Sequence, residues 1–241
     1  MNARRGRAGP AAHRSWPMIA AALLAATVFA ALGIWQLQRL QWKRALIERV
    51  QHHAGGAAVT VPGPAEWSRV DVEHEEYLHV RAVGVFLNEQ ETLVQAVTEQ
   101  GAGFWLMTPL RTDAGYTVLV NRGFVPAGRA AQAARRRGQI DGPATVSGLL
   151  RLSEPGGAFL RANSPAADRW YSRDVSAIAQ RRGLAAAAPY FIDADATPNS
   201  GGLPVGGLTV IAFRNQHLQY ALTWFGLALL SVWYGAVAFY R

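Results

Sequence analysis

The histidine best placed for chemistry in this sequence is His217, which precedes a run from Leu218 to Tyr240 that carries no charge. A helix needs about 20 mostly apolar residues to cross the roughly 30 Å core of a bilayer, so this run can span a membrane. An imidazole at the mouth of such a helix can point at a partner helix or at a flat ligand lying between helices. It can also be an interfacial residue that hydrogen-bonds to lipid headgroups or water. The run alone leaves both interpretations open.

The polar and small residues of this run predict which helical face meets a partner. With Asn215 as the expected N-cap, they recur at helical spacing and share one face, opposite a face of Leu, Phe and Val. These residues are His217, Tyr220, Ala221, Trp224, Ala228 and Ser231.

A second charge-free run, Pro17 to Leu37, follows a short basic stretch and predicts another spanning helix. A cleaved signal peptide is the alternative, because Val28 to Ala30 offers small residues for cleavage after the basic region. The apolar run continues beyond Ala30, however, which favours a helix that is retained.

Tryptophans and cations lie at the C-terminal end of this first helix. One helical face carries Trp35, Arg39 and Trp42. The flank of this face carries Gln36 and Lys43. Arg39 and Lys43 complement the helix dipole and can anchor the helix by reaching to the interface. They can also present positive charge beside the mouth of the last helix.

Composition places the chain among membrane proteins and excludes several functions. Hydrophobic residues make up 50% and charged residues 17%, with a net charge of +8 that is mostly arginine. Such cations suit anionic headgroups or carboxylates, and no zinc-finger spacing or aromatic box indicates nucleic acid. Cysteine is absent and methionines number 3, so disulfides, thiolate metal sites and copper transfer are all disfavoured.

Two spans put both termini on one side of the membrane. Equal numbers of basic residues before and after the first span leave its orientation undecided, but a short arginine-bearing N-terminus favours insertion with the termini inside. The expected domains are residues 1–16 as a cytoplasmic N-terminus, 17–38 as the first transmembrane helix, 39–53 as a helical extension, 54–214 as an extracytoplasmic β-rich domain and 215–241 as the second transmembrane helix.

The middle region predicts a mostly antiparallel sheet. Expected strands, separated by turn residues, are Tyr77–Leu87, Thr92–Val97, Gly103–Leu110, Tyr116–Arg122, Ala144–Leu152, Pro189–Asp193 and Gly207–Phe213. A hairpin turn is expected at 112–115, a linker at 54–64, a solvated turn or short helix at 132–137, a helix at 172–182 and a flexible loop at 198–207. The fold class is therefore an α+β membrane protein, with two transmembrane helices flanking an extracytoplasmic β domain that can curl into a partial barrel.

Catalytic motifs are missing from the sequence. It contains no nucleophile elbow, no phosphate-binding glycine loop and no paired-histidine zinc motif. His74 and His79 lie near several glutamates, but a separation of five residues puts them on opposite faces of a strand, so a metal site is disfavoured. We therefore expect a protein that is not an enzyme.

Three motifs closely resemble the Surfeit-locus protein one family of cytochrome c oxidase assembly factors. They are L-G-I-W-Q-L-Q-R-L-Q-W-K at Leu32–Lys43, V-N-R-G-F-V-P at Val120–Pro126 and N-Q-H-L-Q-Y-A-L-T-W-F-G-L-A at Asn215–Ala228. The two-span layout with a long intervening loop matches as well, and Phe124 stands where tryptophan is expected. The resemblance implies an extracytoplasmic domain and a role in supplying haem a to oxidase subunit I.

The resemblance also implies roles for individual residues. His217 would be the ligand of the haem iron and the only metal ligand, while other residues would shape the pocket from the two helices: Tyr220, Thr223 and Trp224 on the last helix, and Trp35, Arg39, Trp42 and Lys43 on the first. Arg122 would end a strand beside Gly123 in a tight turn, and could pair with a carboxylate or form an internal salt bridge.

Expected partners are oxidase subunit I, proteins of haem a synthesis, other oxidase assembly proteins and the lipid bilayer, but no nucleic acid. The expected location is a bacterial inner membrane with the main domain in the periplasm, because the N-terminus is short for a mitochondrial transit peptide. The mitochondrial inner membrane is the alternative location. The alternative function is a membrane-tethered scaffold for oxidase assembly that binds no haem.

Overall fold

The computed structural model describes residues 16–72, 74–158, 160–209 and 215–240. These residues form two compact units: one contains the first helix up to Glu48 together with the last helix, and the other begins at Arg49 and contains the sheet. The helices are α1 (Trp16–Gly55), α2 (Val175–Arg182) and α3 (His217–Phe239). The strands are β1 (Val59–Thr60), β2 (His79–Phe86), β3 (Thr92–Thr98), β4 (Gly101–Thr112), β5 (Thr117–Pro126), β6 (Pro143–Leu152), β7 (Gly157–Ala158), β8 (Arg161–Ala162) and β9 (Ala187–Ala194).

Two helices in the described part of the chain, α1 and α3, are long and apolar enough to cross a membrane. The most apolar stretch of α1 has a mean hydropathy of 2.2, and that of α3 has 1.6. The helical extension expected over 39–53 belongs to α1, which ends at Gly55. With the β-rich domain between them in sequence, the two helices confirm the predicted fold class.

The sheet of the central unit closes into a five-stranded barrel. Its strands follow the order β2, β6, β9, β5 and β4, and β4 returns to pair with β2 at Gly84–Phe86. The neighbours around the barrel are antiparallel except for β5 and β9, which run parallel. The partial barrel expected from sequence is therefore closed, and its sheet is mixed.

The barrel interior is filled by alternating side chains from all five strands. Val80, Leu110, Val120, Leu150 and Ile192 are each fully buried there. Alternation at period two explains this arrangement, since every second residue of a strand points to one face. Burial of apolar area of this kind is the main stabilising term of the domain.

Helix α2 covers the outer face of β5 and β9. It begins after Asp174, whose side chain accepts a hydrogen bond from Ala177 N–H, and it ends at Gly183 in the left-handed conformation. Its Ile178 packs with Phe191 of β9 and with Trp170 in a second buried cluster. The helix expected at 172–182 is thus confirmed.

A buried carboxylate joins three strands outside the barrel interior. Asp193 accepts hydrogen bonds from Asn121 Nδ2 at 2.7 Å, from Arg151 at 3.2 Å and from Arg173 at 3.1 Å. Arg173 also bonds Glu154 through two nitrogens. Because a buried charge is tolerated when it is paired and hydrogen-bonded, this network stabilises the contact between β5, β6 and β9.

Several local expectations are wrong. The linker expected at 54–64 contains the last turn of α1 and strand β1, which pairs with β2. Strand β5 does not end at Arg122 but continues to Pro126. The short helix that was one of the two predictions for 132–137 is confirmed as a 3₁₀ helix, but its Arg135 is buried against Glu91 rather than solvated.

The segment 198–207 is held in place rather than free. Val205 pairs with Phe124 through two backbone hydrogen bonds, and Asn199 bonds Arg122. No strand forms over 207–209, and the rest of the strand expected at 207–213 lies outside the described residues. The turn at 112–115 is confirmed, since Thr112 N–H donates to Tyr116 and Gly115 has a φ of 85°.

Candidate functional site

Helices α1 and α3 pack antiparallel along a seam of small residues. Ala221, Gly235 and Ala238 are buried on α3, and Ala22 and Gly33 are buried on α1. Small residues let two helices approach closely, which is the usual way in which helices associate inside a membrane. The buried positions of α3 recur every three or four residues, and half-buried His217, Trp224, Ala228 and Ser231 continue the same stripe. The predicted interacting face is therefore correct for these positions.

His217 lies at the end of this seam and is bound by the other helix. Its Nδ1 lies 2.7 Å from Oε1 of Gln36, which is 181 residues away in sequence. The amide oxygen can only accept a hydrogen bond, so Nδ1 carries the proton and donates. The lone pair of the neutral ring is then on Nε2, the nitrogen that can ligate a metal. The expected cap is wrong, since α3 is preceded by Gln216 and has no side-chain cap.

Aromatic residues fill the seam next to His217. Trp224 stacks on Phe29 with ring centroids 5.6 Å apart and an interplanar angle of 25°. The ring of Phe225 lies directly over Gly33, where an added Cβ would be 2.6 Å from Cε1. These contacts fix the relative position of the two helices next to the His217–Gln36 hydrogen bond.

A stack of one cation and two aromatic rings lies on the exposed flank of α1. The guanidinium carbon of Arg39 is 5.1 Å from the ring centroid of Trp42 and 6.0 Å from that of Trp35. Trp35 and Trp42 are about half exposed, and no ion pair joins Arg39 to a described carboxylate. The structure thus brings together three predicted site residues, with a cation that has aromatic but no acidic neighbours. Lys43 is half-buried on the same side of α1 as Gln36.

Two predicted pocket residues of α3 point away from the seam. Tyr220 is 52% exposed, and Thr223 is exposed with its hydroxyl bonded to the carbonyl oxygen of Gln219 on its own helix. They form an outer surface beside His217 rather than the contact with α1. Their role at the site stays a prediction.

Comparison with known proteins places this helix pair in a family. The family model of the SURF1 family matches residues 23–229, which include Gln36, His217 and the whole barrel. The chain belongs to the SURF1 family. Its members are assembly factors for cytochrome c oxidase and are generally non-catalytic, so membership gives this chain a role in oxidase assembly.

Curated relatives of the SURF1 family match over most of their length. Surfeit locus protein 1 of Mus musculus is 38% identical over 221 residues, covering 85% of this chain and 70% of the mouse protein. The Homo sapiens protein of the same name is 37% identical over 223 residues, covering 86% and 72%. A SURF1-like protein of Monosiga brevicollis is 38% identical over 216 residues, covering 83% and 79%.

The sequence did not predict the contact between Gln36 and His217 in the SURF1 helix pair. Gln36 was expected only on the flank of the tryptophan face. A signal was present, because Gly33, Gln36 and Leu40 recur at the three- and four-residue spacing of a packed helix face. Gly33 lies against the Phe225 ring and Gln36 bonds His217, so this face, and not the tryptophan face, meets α3.

Arg122 of the SURF1 motif V-N-R-G-F-V-P lies in the separate central unit. It is 3% exposed, and its Nη2 donates to the Gly138 carbonyl oxygen at 2.6 Å and to Asn199 Oδ1 at 3.0 Å. Among the described residues no carboxylate forms an ion pair with it, so the internal salt bridge that sequence allowed is not formed there. Its pairing with a carboxylate from elsewhere stays a prediction.

Gly123 follows Arg122 within β5 at a φ of 127°. An added Cβ would clash with the Val205 backbone, so glycine is required by a positive φ and a close approach rather than by a tight turn.

His74 and His79, for which a shared metal site was disfavoured, do not form one cluster. His79 Nδ1 hydrogen-bonds to the Gly56 carbonyl oxygen at 2.8 Å, whereas His74 lies with Asp71 and Glu75 at the surface. The ligand atoms of that surface group are within 4.8 Å of one another, but two of its three residues are exposed.

Proposed function

We propose that this SURF1-family protein binds haem a between or beside α1 and α3 and supports its insertion into oxidase subunit I. The observation that carries the proposal is the hydrogen bond from His217 Nδ1 to Gln36 Oε1. It holds the imidazole in the tautomer whose Nε2 is free to ligate iron.

The chemistry of the histidine supports this role. Metal-ligating histidines almost always donate their other ring nitrogen to an oxygen acceptor, which fixes the ring orientation and makes the ligand more basic. Gln36 supplies such an acceptor from a different helix. The ring of His217 is half-buried, so it is neither sealed in the seam nor freely rotating in solvent.

Arg39 supports the recognition of haem carboxylates. Its guanidinium lies over Trp35 and Trp42 and has no acidic partner among the described residues. Arginine pairs with carboxylates through two parallel N–H donors, and stacking on aromatic rings holds its plane in position. We assign Arg39 to a propionate, and we assign the exposed rings of Trp35, Trp42 and Tyr220 to apolar contact with the porphyrin.

Topology and partners complete the proposal. If α1 and α3 both span the membrane, both ends of the chain lie on one side, and we propose that these ends lie inside and the barrel outside the cytoplasm. We propose the bacterial inner membrane, with the mitochondrial inner membrane as the alternative, and contact with subunit I and with the proteins that make haem a. The protein would hold haem a as cargo and would not be an enzyme itself.

Haem occupancy is the measurement that tests this function. The full chain is expressed in cells that make haem a and, as a control, in cells that make only haem b, and it is then purified in mild detergent. A Soret band with the pyridine haemochrome spectrum of haem a is the expected result. A protein that is colourless from both hosts, yet still required for oxidase assembly, would favour a scaffold without haem.

A further inference from the structure

The central unit contains a buried cation, Arg122. Arg122 follows Val118 and Val120 on β5 at period two, and both valines point into the barrel interior. Its guanidinium carbon lies 4.8 Å from the ring centroid of Phe86, another residue of that interior. The arginine is therefore directed into the apolar core of the domain.

Strand β5 is irregular at the position of Arg122. The register with β4 passes from Trp105 opposite Phe124 to Met107 opposite Asn121, so two residues of β5 face one residue of β4. An extra residue of this kind is a β-bulge, which can re-aim a side chain next to a binding site. The bulge comprises Arg122 and Gly123.

The charge of Arg122 is not neutralised within the described structure. Nη2 has two acceptors, both neutral, whereas Nη1 has no hydrogen-bond partner among the described residues. The ion pair of Arg135 with Glu91 nearby is complete in itself. Burial lowers the pKa of the Arg122 guanidinium to about 10; the charge of Glu91 opposes this shift and that of Arg135 adds to it. A buried guanidinium with a free donor nitrogen is costly, and an anion would remove that cost.

A cavity adjoins this side chain. It has a volume of about 90 Å³, and Arg122 is part of its wall. The apolar part of the wall includes Phe86, Ile140, Ala144 and Val146, and its polar part includes Thr145, Ser147, Thr197 and Asn199. The one carboxylate on the wall, Asp195, accepts the Thr197 N–H at 2.9 Å and forms no ion pair with Arg122.

We propose that this cavity binds a short aliphatic carboxylate, such as acetate or propionate, through Arg122. The guanidinium supplies N–H donors that match a carboxylate, and the apolar wall suits a short hydrocarbon tail. Pockets for drug-sized ligands measure about 300–1,000 Å³, so a cavity of about 90 Å³ excludes a porphyrin or a nucleotide. Phosphate fits the charge but leaves the apolar part of the wall in contact with a strongly hydrated oxyanion.

Ligand-dependent unfolding of the full chain in detergent tests the proposal. Sodium propionate is titrated at constant ionic strength against sodium chloride and sodium phosphate, and unfolding of the barrel is followed by near-UV circular dichroism. At about ten times the dissociation constant, propionate should raise the midpoint by about 3–6 °C. Chloride and phosphate should have smaller effects.

Two variants and a matched control locate the effect. Arg122→Met keeps the length of the side chain without its charge and should abolish the response to propionate. Ala144→Leu fills the cavity while keeping Arg122, and should abolish it as well even if Arg122→Met fails to fold. Arg111→Met removes an exposed arginine of β4 and should respond like the wild type.

Three results would overturn the proposal. One is that propionate stabilises the protein no more than chloride does, which would indicate that water fills the cavity. Another is an equal response in Ala144→Leu. The third is stabilisation by N-acetylglutamate amide but not by propionate, which would assign the cavity to an acidic side chain of a partner protein instead.

Discussion

His217 Nδ1 and Gln36 Oε1 form a 2.7 Å hydrogen bond between the last helix of the chain and the first. This single contact joins three properties of the site: it sets the tautomer of the histidine, it orients the ring, and it exists only when the two helices pair in the observed register. The proposed ligation of haem iron therefore depends on α1 even though the ligand belongs to α3. Variants of Gln36, His217 and Arg39 separate these contributions.

Gln36→Leu removes the acceptor but keeps a side chain of similar size. We expect haem affinity to fall about 10–100-fold, because loss of an outer-shell partner typically has that effect on metal binding. Absorbance titration with haem gives the affinity, and resonance Raman of the iron–histidine stretch reports the weaker ligand. Gln38→Leu, at an exposed position two residues further along α1, is the matched control. A Gln36→Leu protein with wild-type affinity and an unchanged stretch would exclude the positioning role.

His217→Ala removes the ligand itself. Haem binding should be lost or sharply weakened while the protein still inserts, because the change lies at the mouth of the helix and leaves the apolar span intact. Added imidazole should restore the ligation spectrum by entering the space that is left. Gln219→Ala, at an exposed position on the same turn, should bind haem normally. If His217→Ala keeps haem with the same spectrum, the iron ligand lies elsewhere.

Arg39→Ala separates recognition of the carboxylates from ligation of the iron. Loss of one charge-assisted contact should weaken haem binding by about 1–3 kcal/mol with the ligation spectrum unchanged. The exposed Arg44 provides the control, since Arg44→Ala removes the same charge from the same helix. Equal weakening in both variants would show that net charge, and not the Arg39 stack, attracts haem.

The helices and most strands could be predicted because their signals are local. An uncharged run of sufficient length predicts α3, and alternation of apolar residues predicts β2 to β6. The small residues on one face of α3 correctly predicted its contact with another helix. Patterns of this kind depend only on neighbouring residues.

Closure of the barrel could not be predicted in the same way. It depends on the pairing of Gly84 with Thr112 and on the parallel contact of Leu119 with Phe191, which join segments far apart in sequence. The pairing of His217 with Gln36 is non-local for the same reason. Periodicity shows which face of an element is buried, but it does not show which other element covers that face.

Glu154→Gln should change the acid stability of the central domain. Burial alone would raise the pKa of the Glu154 carboxyl, but its hydrogen bonds with Arg173 and the charges of Arg173 and Arg151 outweigh burial and hold this pKa below its usual value. A lowered carboxyl pKa contributes stability that is present at neutral pH and is lost as the pH falls below about 4.3, the usual value for glutamate. The variant should therefore be less stable than wild type at pH 7, with a difference that shrinks as the pH falls.

Denaturant unfolding at pH 7 and at pH 4 measures that difference. It should be no more than about 1 kcal/mol at pH 7, because the Glu154 side chain is 38% exposed and solvent screens the pair. Glu89→Gln, at an exposed carboxyl without such partners among the described residues, should show no difference at either pH. A difference that grows towards acid pH would have the wrong sign for this ion pair.

Gly33→Ala tests whether close packing of α1 and α3 positions His217. The new methyl group would lie 2.6 Å from the Phe225 ring, so the ring must move or the helices must separate, and overpacking of this kind typically costs about 1–3 kcal/mol. Gly226→Ala is the control, because nothing lies within 4 Å of its added Cβ and alanine favours the helix.

A disulfide between the two helices reports their pairing. The chain has 0 cysteines, so the double substitution Ala22→Cys with Gly235→Cys gives a cross-link without background. Cross-linking in membranes and haem affinity should fall together in Gly33→Ala, recover when Phe225→Leu is added, and stay at wild-type levels in Gly226→Ala. Reduced cross-linking with unchanged haem affinity would show instead that His217 binds haem without the support of α1.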